Sequence, residues 1–347
     1  MSERKLRIGV AGVGGIGRGH VHAVVDCELA ELTALCDIKG DIIKTPEHFN
    51  NNLTLPDDLP VFTDYDEFIN YENLDAVIIS TPDATHCEYT VKALEKGLHV
   101  TCEKPLTVTD EESKRIVDAA KKSTAKAFVG HICRFTPSFV KSRELIDEGV
   151  LGKVFCIETQ YRHNCHENLP KDDWRFFPPR HATSCGGGHA IDIVRYFLNE
   201  APTEVFAFGN RYCREDWTVE DCSETVMKFE SGAIARVLTS LGCIAPYSMR
   251  TAIYGTKATI ITDNTIDYLE LHTRDEETKE FQLEKIQVDV NNHNCNDQVL
   301  EMCRAVLFGE KARNEIVEGA KSLYVFNAAI RSIETGEKQI MDYSTLE

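Results

Sequence analysis

The chain has 347 residues, 42% of them hydrophobic, with 38 Lys and Arg against 56 Asp and Glu, a formal net charge of −18. That length suggests about two domains, each able to bury its own core. The charge opposes a polyanion and no Lys/Arg-rich run offsets it, so nucleic acid and anionic membrane surfaces are excluded as expected partners, and small molecules remain.

No run of about 18 apolar residues is present to span a bilayer. Arg4-Lys5 followed by Ile8 to Ile16 imitates part of a signal peptide, but Gly9, Gly12, Gly14, Gly15 and Gly17 make a poor apolar helix there. The thirteen cysteines are odd in number and contain no C-x-x-C pair, which argues against a disulfide framework or zinc ribbon and for a reducing cytoplasm.

In chain order, Leu6–Ala11, Glu31–Cys36, Ala76–Ser80, Leu98–Cys102 and Lys126–Val129 read as buried strands. Helical patterns separate most of them, around Gly17–Val25, Asp66–Tyr71, His86–Lys96 and Asp110–Lys122. Such alternation predicts a parallel, doubly wound sheet. Lys44–Pro60, with its prolines and Asn50-Asn51-Asn52, reads as an irregular stretch without a core element.

The pattern changes after about Gly130, which divides the chain into 1–130 and 131–347. A helix over Ser138–Glu148 leads to a strand at Lys153–Tyr161, then a polar stretch from Arg162 to Ser184 and a helix near His189–Leu198. Strand-like runs follow at Val205–Asn210, Glu224–Phe229, Ile234–Leu241, Arg250–Tyr254 and Ala258–Thr262, with few helices between them, which predicts a largely antiparallel sheet. Two late helical patterns, Asn296–Phe308 and Gly319–Thr335, end at Gly309 and Gly336.

The first motif with chemistry in it is Gly12-Val13-Gly14-Gly15-Ile16-Gly17, which follows a strand and opens a helix. Gly12 permits the tight turn, Gly14 lets a pyrophosphate approach the backbone and Gly17 lets helix and strand pack closely. A bare G-x-G-x-x-G is weak on its own. Here Asp37 also ends the second strand, 20 residues after Gly17, where its carboxylate can accept from ribose hydroxyls and repel a 2′-phosphate. NAD is therefore expected over NADP, with Lys39 the one nearby charge that offsets Asp37. Thr81-Pro82 and Glu103-Lys104-Pro105 follow the next strands, whose carboxyl ends face the crevice in such sheets. Pro105 keeps Lys104 extended; by position alone Lys104 is either a site residue or a surface lysine.

These motifs, together with Arg134-Phe135-x-Pro137 and His189-x-x-Asp192-x-x-Arg195-Tyr196, stand in the order and rough spacing of the Gfo/Idh/MocA oxidoreductases, which the chain resembles over nearly its whole length. The resemblance implies an N-terminal Rossmann domain and a C-terminal α/β domain with a large open, mostly antiparallel sheet, which serves for substrate binding and oligomerisation. It implies NAD or NADP as cofactor, a polyol, sugar or sugar derivative as substrate, and a homodimer or homotetramer formed through the C-terminal sheet. The implied cofactor set is Gly12, Gly14, Gly15, Ile16, Gly17, Asp37, Thr81, Pro82, His86, Glu103 and Lys104. Lys104 matches the family's active-site lysine and His189 its catalytic histidine. An imidazole can take the hydroxyl proton as hydride leaves the carbinol, while an ammonium stabilises the developing alkoxide.

Asp192 is placed either to orient His189 or bind a substrate hydroxyl, or to pair with Arg195 on the helix surface. Trp174-Arg175 resembles the family's W-R pair, and Tyr161 and Arg162 leave the first strand of the second domain; all four are candidate substrate contacts. One position departs from the family pattern: where many members carry an aspartate four residues before the histidine, this chain has Cys185. That departure leaves room for NAD-assisted glycoside cleavage with transient oxidation and no net redox change. A non-catalytic dinucleotide-sensing regulator is the third reading, which Lys104 and His189 together disfavour. His163, Cys165, His166 and His181 match no standard metal spacing, and no metal is expected.

Overall fold

The computed structural model describes residues 4–165, 180–181, 186–213, 216–291 and 293–347. The chain forms two compact units, one of Met1–Ile132, Asn294–Ala320 and Leu346, the other of Cys133–His293, Lys321–Thr345 and Glu347.

The first unit opens with β1 (Leu6–Ala11), α1 (Gly15–Asp26), β2 (Ala30–Cys36), β3 (Val61–Phe62), α2 (Tyr65–Ile69), β4 (Ala76–Ile79), α3 (His86–Glu95), β5 (His99–Cys102), α4 (Asp110–Lys122) and β6 (Ala127–Val129). The strands form a 6-stranded sheet in the order β3-β2-β1-β4-β5-β6, with every pairing parallel. Apolar residues fill β4 without alternation because helices cover both faces of such a sheet. α4 begins where Thr109 accepts from the Glu112 N–H and Glu112 reaches back to Thr109, a reciprocal capping box.

Two features correct the sequence reading of this unit. Lys44–Pro60 is not without core residues: a 3₁₀ turn at Pro46–Phe49 follows another at Gly40–Lys44, and Phe49, Leu55 and Leu59 join the core beside Ile43. Single 3₁₀ turns leave no 3.6-residue period to read. β3, two residues long, is equally silent in the pattern.

The second unit contains α5 (Pro137–Asp147), β7 (Val154–Arg162), α6 (Gly188–Leu198), β8 (Pro202–Asn210), β9 (Cys222–Phe229), β10 (Ile234–Ser240), β11 (Thr251–Gly255), β12 (Ala258–Thr262), β13 (Tyr268–Arg274) and β14 (Phe281–Gln287). These strands, with β15 (Gln339–Ile340) from the end of the chain, build a 9-stranded sheet in the order β14-β13-β12-β11-β7-β10-β9-β8-β15. It is mostly antiparallel as expected, but β7 and β10 run parallel at its centre. β13 and β14 were not read from the sequence; β14 is an edge strand, exposed along almost its whole length, so no buried stripe marks it. One face of the sheet carries Ile157, Val205, Met227, Val237, Ile253 and Ile260 into a core shared with Phe139, Phe197 and Phe326. Each such side chain contributes about 1.5–3 kcal/mol by leaving water.

The chain then passes through α7 (Cys295–Phe308) and α8 (Ile316–Thr335) to β15 (Gln339–Ile340). Residues Asn294–Ala320, which the sequence reading assigned to the second domain, belong to the first unit: α7 packs on α1, and Asn314 Nδ2 donates to Val129 O at 2.8 Å. No helix among the described residues is long and apolar enough to cross a membrane.

Candidate active site

The glycine-rich turn takes its form from steric limits at two positions. Gly12 has φ +81°, and a Cβ there would lie 2.6 Å from the Ser80 carbonyl carbon at the end of β4. A methyl at Gly17 would collide with Gly12 O, so α1 can lie this close to β1 only with glycine. Gly14 and Gly15, in contrast, face open space. No side chain caps α1, which leaves its first-turn N–H groups and positive end for an anion. An open cradle over an uncapped helix start fits the pyrophosphate of a dinucleotide.

Asp37 follows β2 and accepts from the Val13 N–H at 2.8 Å and the Lys39 N–H at 3.0 Å. The carboxylate thus stands beside the glycine turn, and Lys39 meets it through the backbone. The turn has a second support that spacing did not reveal: His48 Nε2 donates to Val13 O at 2.6 Å, and Arg18 Nη1 donates to His48 O at 2.9 Å.

At the end of β5, Glu103 accepts from His20 Nε2 of α1 at 2.8 Å and from the Lys104 N–H at 3.1 Å. Burial opposes the charge on Glu103, but the hydrogen bond and charge of His20, with Lys104, outweigh it and lower the pKa. His86 lies between the Thr81 and Pro105 carbonyls, within 2.8 and 2.9 Å of its two ring nitrogens. Glu103 and His86 are buried, at 3% and 1% exposure, and hold these turns from beneath. Thr81 Oγ1 meets Thr85 Oγ1 at 2.7 Å, which closes the turn before α3.

In the second unit His189 occupies the first turn of α6, and its ring stacks on Tyr161 with centroids 6.0 Å apart and planes at 20°. The glycines before it explain how helix and sheet come so near. A Cβ at Gly186 would meet the Tyr161 ring at 2.5 Å, one at Gly187 would strike Thr239 of β10, and one at Gly188 would press Phe326 at 3.2 Å. Tyr161 and His163 share a hydrogen bond at 3.1 Å between the hydroxyl and Nδ1. Tyr247 lies 5.6 Å from Tyr161 and 5.1 Å from His163, and stacks on His293 at 5.7 Å. His163, Tyr247 and His293 were absent from the sequence-derived substrate set; they come from separate segments that carry no shared motif. Arg162 donates from Nε to Ser248 Oγ at 3.2 Å.

Asp192 requires a correction. It does not lie on the helix surface. It is 1% exposed and binds Arg134 in a fork, with Nε at 2.8 Å and Nη2 at 2.7 Å. Ser322 donates to it at 2.7 Å and accepts from Arg195 at 2.6 Å. The Arg134 and His189-to-Arg195 motifs are therefore two halves of one buried polar network, to which Asp192 belongs.

Trp174, Arg175 and Cys185 lie outside the described residues. Among the described residues no group of three or more His, Cys, Asp or Glu is placed to hold a metal ion.

Comparison with known proteins agrees with this organisation. Residues 6–131 match the oxidoreductase family with an NAD-binding Rossmann fold, and residues 139–261 match the Gfo/Idh/MocA C-terminal domain. The myo-inositol 2-dehydrogenase of Thermotoga maritima is 28% identical over 269 residues, 75% of each chain. The NAD-dependent scyllo-inositol 2-dehydrogenase of Bacillus subtilis is 28% identical over 270 residues, 74% of each. Levoglucosan dehydrogenase in complex with NADH superposes with a TM-score of 0.87 at 20% identity, covering 98% of this chain and 100% of the other, and so shares the fold. The parallel sheet with its open glycine cradle and the nine-stranded sheet beside His189 are thus the two domains of one known design, and the chain belongs to the Gfo/Idh/MocA family of oxidoreductases.

Proposed function

We propose that this chain is an NAD-dependent dehydrogenase that acts on a CH–OH carbon of a polyol, sugar or sugar derivative. The observation that carries the reading is the glycine cradle, with Asp37 fixed beside it by the Val13 N–H, in a chain that also retains Lys104 and His189. In this reading the cradle holds the pyrophosphate, Asp37 accepts the adenosine ribose hydroxyls, and a 2′-phosphate meets like charge. The bound nicotinamide supplies the site that accepts or returns hydride. Lys104 stabilises negative charge as it develops on the reacting oxygen. His189 exchanges the hydroxyl proton, with the Tyr161 ring as its wall against water. The inositol and levoglucosan dehydrogenases named above support a neutral polyhydroxy ring as substrate.

The same reading includes a homo-oligomer. The uncovered face of the nine-stranded sheet presents Phe206, Phe208, Val226, Ile234 and Leu238 around the paired charges of Glu158, Glu224 and Arg236, a mixed surface suited to a second copy.

The test is a panel of inositols, aldoses, anhydro sugars, sugar acids and amino sugars, followed by nicotinamide absorbance with NAD and NADP in parallel. Turnover on a polyol or sugar is expected, with the higher kcat/KM for NAD. Lys104→Met and His189→Ala should each lower kcat by about 10²–10⁴-fold while NAD still binds. Near-normal turnover in either variant removes that residue from the mechanism, and a preference for NADP removes the role of Asp37. Light scattering on the same preparation reads the oligomeric state, and a monomer removes that part of the reading.

A further inference from the structure

β4 and β5 are parallel neighbours in register, Ile79 beside Cys102, and their carboxyl ends run into the Thr81-Pro82 and Glu103-Lys104-Pro105 turns. Nothing in a parallel ladder holds two such turns together once the strands have ended. His86, the first residue of α3, sits between them with both ring nitrogens at hydrogen-bond distance from a main-chain carbonyl, Thr81 O at 2.8 Å and Pro105 O at 2.9 Å. A carbonyl oxygen only accepts, whereas a neutral imidazole has one N–H and one bare lone pair. A neutral His86 would therefore set a lone pair against a carbonyl in a buried space, where an unmade hydrogen bond is most costly. Two N–H donors satisfy both oxygens.

We propose that His86 acts as an imidazolium clamp, a positioning residue that ties the Thr81 turn to the turn that presents Lys104. The inference rests on the reading that Lys104 acts on the reacting oxygen. Burial of the ring works against its charge, but negative charge on the Cys102 sulfur of β5, its hydrogen bond to the ring and the two carbonyls outweigh that, and the pKa rises to about 9. On the Lys104 turn the neighbouring acid, Glu103, is engaged by His20 from α1. His20 and His86 thus hold this turn from two different helices.

The clamp is separable by substitution, because the amide nitrogen of Asn falls near Nδ1 and that of Gln near Nε2. His86→Gln keeps the tie to Thr81 and releases Pro105. It should lower kcat about tenfold or more and leave the NAD dissociation constant within about twofold, since small displacements of a reacting group have large effects on rate. His86→Asn keeps Pro105 and releases Thr81, and should weaken NAD binding by more than it lowers kcat. Equal losses in both variants and both parameters would overturn the clamp.

The wild-type enzyme supplies an independent reading. In ¹⁵N-histidine NMR at pH 7.5, His86 should carry protons on both nitrogens, and a neutral tautomer there refutes the proposal whether or not the variants fold. The raised pKa also gives stability its sign. The contribution is full below 6.5, the ordinary value, and disappears as pH rises through about 9, so the thermal advantage of wild type over His86→Gln should fade across that window. Lys104→Met in the same assays keeps the two ideas apart. If it stays active the mechanism fails while the NMR result still stands, and if it is inactive while both His86 variants match wild type, only the clamp fails.

Discussion

The two units place chemistry in opposite ways. In the first, the proposed phosphate cradle is main chain, an open turn at Gly14 and Gly15 and an uncapped helix start, and side chains enter only at its edges, at Asp37 and Lys104. Buried side chains such as His20, His86 and Glu103 brace that backbone. In the second unit the candidate surface is made of side chains, with Tyr161 from β7, His189 from α6, and Tyr247 and His293 from separate loops. A backbone site recognises what every dinucleotide has in common, its phosphates. A side-chain site can change its ligand with each substitution, which suits the unit proposed to select the substrate.

Three substitutions test this contrast, taken from the largest expected effect to the smallest. Asp192→Asn leaves the buried Arg134 guanidinium without its counter-charge and should destabilise the protein by about 3–5 kcal/mol. At roughly 2–4 °C per kcal/mol for a unit of this size, that is a fall of about 6–20 °C in Tm by calorimetry. An unchanged Tm would return Asp192 to the substrate-contact role. Gly17→Ala forces a methyl into Gly12 O and should cost about 1–3 kcal/mol of overpacking. Because the strain falls on the cradle, NAD affinity by titration calorimetry should drop by about tenfold per 1.4 kcal/mol. Retained affinity would mean that the backbone does not define the cofactor site. Tyr161→Phe removes one hydroxyl, the partner of His163, and should lose about 0.5–1.5 kcal/mol, seen mainly as a higher KM. A collapse of kcat would instead place the hydroxyl in the chemistry and blur the distinction between the units.

Sequence legibility followed the same division. The glycine turn, Asp37 and the Glu103-Lys104-Pro105 turn were readable because each depends on a strand end and a few adjacent residues. The bracing was not: His48 reaches Val13 across 35 positions and His20 reaches Glu103 across 83. Motif position also left partners unread. Asp192 lies three residues from His189 in the chain, yet its side chain answers Arg134, 58 positions away, and Ser322, 130 positions away. The edge strand β14 escaped because strands are recognised by the apolar stripe they bury, and it buries none.

The order of the residues by itself determined the doubly wound sheet, the phosphate turn and the family, since these rest on local periodicity and on glycines whose steric reason is local. Only the tertiary structure decided that segment 294–320 belongs to the first unit, that Asp192 is buried against Arg134, and that Tyr247 and His293 gather with Tyr161. A buried polar group must take its hydrogen-bond partner from whatever packing brings within about 3 Å, and that partner can stand anywhere along the chain.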